Sequence, residues 1–362
     1  MRRMILLTIF TTLLLASGTV QASPDDNWQG SMLIVKASPD AGYESVMPLP
    51  KGLLRSLSAP KDRYPADPPI TDTYLRTAHK TYEIDEDFNL YDPDAKAFMR
   101  LPAAAKQKLN TSLEALKKKH YGKLITWQEA KDILPLYSTF SIIDLATGQQ
   151  FQVERRAGSS HADVQPLTKQ DTSTMKAIYD RKWSWKRRAI LVKKGSEVFA
   201  ASMHGMPHGG GAIPDNDFNG HFCIHFLGSI THKTGNQDPD HEVMIHRAAG
   251  ELMPFVQRLP LSQLAELFLI AFRQQDPEIL AVLFDDRQTA ELYAEQYKMA
   301  QLDGIHITAT QLIERDEGPL TAEALVTATA YQANEKTQLQ FRLHFSRSAP
   351  GLPWILESAE MP

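Results

Sequence analysis

The stretch Gly220-His221-Phe222-Cys223-Ile224-His225 decides how the centre of this chain is expected to fold. Successive side chains of a β-strand point to opposite faces, so a strand over 221–226 separates its apolar residues from its histidines and cysteine. One face carries Phe222, Ile224 and Phe226, and the other carries His221, Cys223 and His225. Glycines at 220 and 228 bracket a length that suits a strand. The pattern predicts one face in a hydrophobic core and one face available for chemistry.

Histidines cluster around Cys223, the only cysteine of the chain. Seven of the 12 histidines lie between residues 204 and 246, at positions 204, 208, 221, 225, 232, 241 and 246. A free thiol has a pKa of about 8.5, so a nucleophilic cysteine needs a neighbouring imidazole to take its proton. His221, on the same strand face, and His204, at the end of the preceding strand, are the two expected partners. The other histidines, taken singly, indicate no function.

The pair His204-Gly205, followed after a spacer by Gly220-His221-Phe222-Cys223, resembles the signature of L,D-transpeptidase (YkuD-type) catalytic domains. The resemblance covers roughly residues 139–250, and it extends to His161-Ala162-Asp163-Val164 and Asp238-Pro239-Asp240-His241. It implies that Cys223 is the nucleophile, His204 its base and His221 the second motif histidine. The implied substrate-binding or supporting positions are Gly205, Gly220, Phe222 and His225.

Three positions depart from the family pattern. Gly220 stands where the family has Ser or Thr, Phe222 where it has Gly, and His225 where it has Asn or Arg. The family remodels peptidoglycan stem peptides through an acyl-enzyme that passes its acyl group to an amine or to water. The resemblance therefore implies a peptidoglycan partner and a cysteine mechanism that uses no cofactor and no metal. The departures leave the type of reaction, and whether this chain is active, open.

The first residues have the pattern of a secretory signal peptide. Arg2 and Arg3 precede an apolar run over 4–15, and Val20-Gln21-Ala22 forms a cleavage site before Ser23. An apolar run of about a dozen residues is shorter than the ~20 that a membrane span requires. We expect a protein exported across the inner membrane, to a bacterial periplasm, with no membrane span. The net charge of −4 argues against a nucleic-acid partner.

The sequence predicts a mixed fold with a signal peptide and three further parts. Residues 1–22 are the signal peptide, 23–136 an irregular N-terminal region with short helices, 137–256 a β-rich L,D-transpeptidase-like domain, and 257–362 an α+β accessory domain. Prolines between residues 48 and 69 indicate irregular backbone in the N-terminal region. In the accessory domain, helices precede an antiparallel meander, an element order that resembles the nuclear-transport-factor-2-like fold.

Several elements have local signals. A helix is expected over 102–120, and Thr126 with Glu129 forms a capping-box pattern for a second helix. A hairpin is expected over 139–155, followed by strands over 189–193 and 197–204. Asp238 before Pro239 marks the start of another helix. The basic run between residues 181 and 194 is interpreted as a solvated edge strand in preference to a site for an anionic substrate.

Two other functions fit parts of the sequence. His204-x-x-x-His208 and His221-x-Cys223-x-His225 carry ligand types that zinc prefers, which allows a zinc-dependent envelope hydrolase. Their spacing is not the helical His-Glu-x-x-His arrangement, so this reading ranks below thiol chemistry. Trp183 and Trp185 allow a cell-wall-binding module without catalysis, in which they form a stacking platform for sugars.

Overall fold

The structure is a computed structural model that describes residues 28–57, 62–211, 213–231, 235–284, 290–313, 320–333 and 335–361. The fold is mixed α and β, with two open sheets and a closed six-stranded barrel among the described residues. The predicted signal peptide lies outside the described residues. No helix in the described part of the chain combines the length and apolar character that crossing a bilayer requires.

The N-terminal part contains a seven-stranded sheet, so the prediction of an irregular region is wrong. Its strands are β1 (Met32–Val35), β2 (Ser45–Pro48), β3 (Arg63–Pro65), β4 (Thr73–Arg76), β5 (Thr81–Ile84), β6 (Leu90–Asp92) and β7 (Ala97–Met99). They lie in the order β2-β1-β4-β5-β6-β7-β3 and pair antiparallel. Each strand has only three or four residues, too few to show a periodic pattern in the sequence.

Two helices, α1 (Lys51–Leu57) and α2 (Ala103–His120), pack against this sheet, and α2 is the helix predicted over 102–120. The second predicted helix is α3 (Trp127–Ile133), whose Trp127 and Ala130 belong to the hydrophobic cluster of the barrel. In α2 the apolar residues Leu109, Leu113 and Leu116, at helical spacing, are buried in the hydrophobic cluster of the sheet. The capping box of α3 forms, because the Thr126 side chain accepts from the Glu129 backbone while the Glu129 carboxylate accepts from Thr126.

The central part forms the closed barrel. Its strands are β8 (Thr139–Asp144), β9 (Gln150–Ala157), β10 (Ala162–Pro166), β11 (Arg187–Lys194), β12 (Glu197–His204) and β13 (Phe222–His225), with α4 (Lys169–Ile178) between β10 and β11. Around the barrel the order is β10-β13-β12-β11-β8-β9. The hairpin predicted over 139–155 is β8 with β9, and the predicted strands at 189–193 and 197–204 are β11 and β12.

Alternation along the strands separates two hydrophobic clusters. Every barrel strand contributes to the first cluster, which includes Phe151, Val164, Ile190, Phe199, Phe222 and Ile224 and therefore fills the interior. The intervening residues Ala189, Leu191 and Ala200 face outward into a second cluster. Helix α5 (Pro239–Ala248) covers this outer face, and its first turn is capped by Asp238 as predicted. The outer face of the barrel is thus covered on the side of β11 and β12.

Strand β11 is not an edge strand, so the interpretation of the basic run is wrong on this point. It pairs with β8 on one side and β12 on the other. The side chain of Arg188 forms two hydrogen bonds of 2.6 and 2.7 Å with Asp144, which is fully buried. Arg187 bonds Asp238 at 2.6 Å. Acidic residues distant in the sequence neutralise these two charges, which allows them to lie at an internal position.

The C-terminal part has the predicted order of helices followed by an antiparallel meander. Its elements are α6 (Leu252–Val256), α7 (Leu261–Gln274), α8 (Pro277–Leu283), α9 (Ala290–Ala300), β14 (Gly304–Ile313), β15 (Thr321–Gln332), β16 (Glu335–Ser346) and β17 (Ile355–Glu360). The four strands pair in chain order. One hydrophobic cluster runs from the outer face of the barrel through α5 to this sheet. The two regions therefore share a core.

The buried His120 predicts acid sensitivity of the N-terminal part. Burial lowers its pKa from 6.5 to about 4. A depressed folded-state pKa means that the unfolded chain binds the proton first, so stability falls as the pH drops below about 6.5 and levels off near 4. Lowering the pH from about 7.5 to about 5 should destabilise the wild type by about 2 kcal/mol more than a His120→Gln variant.

The measurement is urea unfolding of both proteins at the two pH values, followed by tryptophan fluorescence. Comparing the pH dependence of the two proteins removes the contribution of other titrating groups. Equal pH dependence in wild type and variant would contradict this assignment.

Candidate active site

Strand β13 places its two sets of side chains as the sequence predicts. Phe222, Ile224 and Phe226 are fully buried, and all three belong to the interior cluster of the barrel. Cys223 and His225 lie on the opposite face, where they are 5% and 3% exposed. The regular strand spans Phe222–His225, shorter than the predicted 221–226.

A two-bond bridge brings His208 opposite His221. The backbone N–H of each residue donates to the carbonyl of the other, at 2.9 and 2.8 Å. Glycine is required on both sides of this bridge. A Cβ at Gly209 would lie 2.3 Å from the His221 ring, and one at Gly220, where φ is +94°, would lie 2.4 Å from the His208 carbonyl oxygen. The bridge therefore brings to the site the imidazole of His208, which by itself indicates no function in the sequence.

His208 has a hydrogen-bond contact with the thiol of Cys223. Its Nε2 lies 3.5 Å from the sulfur of Cys223, and its Nδ1 lies 3.1 Å from the Met206 carbonyl oxygen. A carbonyl only accepts, so Nδ1 carries the proton. In the neutral ring the lone pair is then on Nε2 and faces the thiol. His208 is set up to accept the proton of Cys223.

His204 has the opposite tautomer. Its Nδ1 accepts a hydrogen bond from the backbone N–H of Met206 at 3.3 Å, so in the neutral ring Nε2 carries the proton. Burial is the largest cause that holds the pKa of His204 well below its usual value, and the charge of Arg187 adds to it. Ring nitrogens of His204 and His208 and the sulfur of Cys223 lie within 4.8 Å of one another. His204 is beside the thiol, but it is arranged to donate a hydrogen bond.

Asp163 lies directly opposite Cys223 in the pairing of β10 with β13. The thiol donates to its Oδ1 across 3.8 Å. The same oxygen is 3.7 Å from Nε2 of His221 and 3.1 Å from Nε2 of His161. Burial, followed by the charge of Asp163, raises the pKa of Cys223 well above its usual value. The thiol is therefore protonated at rest and needs a base to become a nucleophile.

His221 is the most accessible of the predicted motif residues. Its side chain is 17% exposed and close to both Asp163 and Cys223. Burial lowers its pKa, and Asp163 opposes this shift. The backbone of Gly210 also opposes the lowering of this pKa. His221 is positioned between the thiol and solvent.

Three imidazoles, those of His161, His225 and His241, form a stack that adjoins Cys223 through His161 and His225. The ring of His225 lies 3.8 Å from that of His241 and 4.6 Å from that of His161, nearly parallel to both. Nδ1 of His241 forms a 2.8 Å hydrogen bond with Ser202. Burial, with a smaller effect of His225, keeps the pKa of His241 well below its usual value. These contacts fix His225 beside Cys223 without exposing it to solvent.

Two predicted supporting residues act through packing. Phe222 points into the barrel and does not reach the thiol face. Gly205 is needed because a Cβ there would lie 2.4 Å from the ring of Tyr179.

Elsewhere, His246 stacks on Phe255 in the helical region. His232 lies outside the described residues.

The two tryptophans have different environments. Trp185 is 50% exposed and lies against the rings of His204 and His208, at 4.7 and 5.4 Å. Trp183 instead packs on Phe218 at the barrel. Trp185 alone is therefore placed to contact a substrate near Cys223.

The sequence assigns His208 no role in thiol chemistry, and it gives Asp163 and His161 no specific role within the stretch that resembles the family. A signal for two of them was present, because His161-x-Asp163 has the same two-residue spacing as His221-x-Cys223. The contact of His208 depends on the bridge across a loop, which no local pattern reports.

Comparisons with known proteins give no family for this chain. It matches no protein-family model, and no curated protein is significantly similar to it.

Proposed function

We propose that this protein is a cysteine acyltransferase or peptidase of the L,D-transpeptidase type, acting on peptidoglycan stem peptides. The observation that carries the proposal is the pair of Cys223 and His208, with 3.5 Å between Sγ and Nε2 and with Nδ1 held by the Met206 carbonyl. A nucleophile within reach of a base, and a base oriented by a third group, is the arrangement that covalent catalysis requires.

The proposed reaction has two steps. Nε2 of His208 takes the proton from Cys223 as the sulfur attacks the carbonyl carbon of a peptide bond. The tetrahedral intermediate collapses to a thioester, and the departing amine nitrogen takes the proton from His208. An incoming amine or water then attacks the thioester, gives its proton to His208, and releases the acyl group. The proton returns to the thiolate, so Cys223 and His208 end as they began.

His204 has a different part in this proposal from the one the family resemblance implies. Its neutral ring carries a proton on Nε2, which suits donation to the oxygen that becomes negative in the tetrahedral intermediate. His208 then acts as base and His204 as hydrogen-bond donor. In the resting enzyme the thiol of Cys223 donates a hydrogen bond to Asp163. His221 lies on the more exposed side of the sulfur.

The compartment and the family relation are parts of the same proposal. From the N-terminal signal pattern we infer that the protein is exported to the periplasm, where peptidoglycan is found. Because the motifs at His204 and Cys223 resemble the L,D-transpeptidase signature, we propose that the central domain is related to that family. The order of elements from α7 to β17, helices followed by a meander, supports a relation of the C-terminal region to nuclear-transport-factor-2-like folds.

Mass spectrometry of the intact protein tests the covalent step. Wild-type protein incubated with purified muropeptides should gain the mass of one acyl group, and the adduct should disappear with hydroxylamine, which cleaves thioesters. Cys223→Ala should gain no mass. A wild type that neither forms an adduct nor changes any muropeptide would refute the proposed function.

Two histidine variants separate the base from the donor. Glutamine supplies an N–H donor but no base, so His208→Gln should lower kcat/KM by about 10²–10⁴-fold. His204→Gln keeps a donor and should stay within about tenfold of wild type. His79→Gln, at an exposed position, is the matched control. If His204→Gln lowered kcat/KM more than His208→Gln, the base would be His204 and not His208.

Trp185 should contribute to substrate binding. Its half-exposed ring beside His204 and His208 offers a stacking surface worth about 1 kcal/mol. Trp185→Ala should therefore raise KM roughly fivefold with little change in kcat. Tyr137→Ala, which removes another exposed aromatic ring, is the control. A loss confined to kcat would argue against a binding role.

A further inference from the structure

Three chemically different side chains that can bind a metal, one of them the proposed nucleophile Cys223, lie close together. A carboxylate oxygen of Asp163, a ring nitrogen of His221 and Sγ of Cys223 lie within 4.8 Å of one another. Oδ1 is 3.8 Å from the sulfur and 3.7 Å from the imidazole nitrogen. Zinc bonds of about 2.0–2.3 Å in tetrahedral geometry place neighbouring ligand atoms roughly 3.3–3.6 Å apart. The two distances from Oδ1 of Asp163 exceed this range by only a few tenths of an ångström.

Contacts behind the ligands hold them in place. The register of β10 and β13 fixes Asp163 opposite Cys223, and the bridge to His208 fixes the backbone of His221. Oδ1 of Asp163 also contacts Nε2 of His161 at 3.1 Å, and Nδ1 of His161 donates to the Ile230 carbonyl at 2.8 Å. Such outer contacts orient metal ligands and account for a large part of a site's affinity.

Charge and access favour a divalent ion. A carboxylate and a thiolate together neutralise two positive charges, and the thiol gives up its proton when the metal binds. The partial exposure of His221 provides a route from solvent, whereas Asp163 and Cys223 are buried. The combination of thiolate and imidazole selects soft or borderline ions such as Zn²⁺ over Mg²⁺ or Ca²⁺.

We propose that Asp163, His221 and Cys223 form a Zn²⁺ site that switches off the thiol. A sulfur bound to zinc has donated the lone pair that would attack a substrate carbonyl, so the metal and the acyl group exclude each other. The inhibitory part rests on the proposed function, but binding itself does not.

Cobalt tests binding without any substrate. Co²⁺ titrated into the reduced full chain should produce a thiolate-to-cobalt charge-transfer band that saturates at one ion per chain and is displaced by Zn²⁺. Cys223→Ser, or alkylation of wild-type protein, should abolish the band. Asp163→Asn should weaken binding about a hundredfold, whereas Asp217→Asn, at an exposed position, should not. Circular dichroism checks that each variant is folded.

No charge-transfer band, or a band unaffected by Asp163→Asn, would overturn the metal site. For the inhibitory role, Zn²⁺ should stop formation of the acyl adduct and a chelator should restore it. Activity that rises with Zn²⁺ would overturn inhibition. If the wild type forms no adduct with or without zinc, the proposed function fails, while the cobalt titration still decides the metal site.

Discussion

The position of β13 between β10 and β12 is the constraint on which the site depends. Burying Phe222, Ile224 and Phe226 in the barrel stabilises the fold by about 1.5–3 kcal/mol for each side chain. A slip of one residue would turn these side chains outward and Cys223 inward, at a cost of several kcal/mol. The hydrophobic core therefore fixes the register, and the register sets Cys223 opposite Asp163 and His225 opposite Ser202.

The electrostatics of the site follow from this burial. A carboxylate beside a buried thiol opposes ionisation of the sulfur, so Cys223 is unreactive until a group accepts its proton. Burial also keeps His204 and His241 neutral. Neutral imidazoles have defined tautomers, and their backbone partners determine which nitrogen can accept a proton. The same residue type thus supplies an acceptor at His208 and a donor at His204.

The sequence predicted those features that depend on local periodicity. The two faces of β13, the capping box at Thr126 and the start of α5 at Asp238 all follow from residues within one strand or one helical turn. The N-terminal sheet was missed because its short strands gain their order from pairing across the sheet. The internal position of β11 was missed because Asp144 and Asp238, remote in the sequence, neutralise its arginines.

The site shows the same division between local and distant information. Cys223 was found from one strand, and His204 and His221 are indeed close to it. Distinguishing a base from a donor required the partner of each Nδ1, which is the Met206 carbonyl for His208 and the Met206 N–H for His204. Both partners belong to one residue, so the conformation of the short segment between the two histidines sets both tautomers. Only a backbone change that reversed both hydrogen bonds would exchange the proposed roles of the two histidines, and it would leave every motif residue in place.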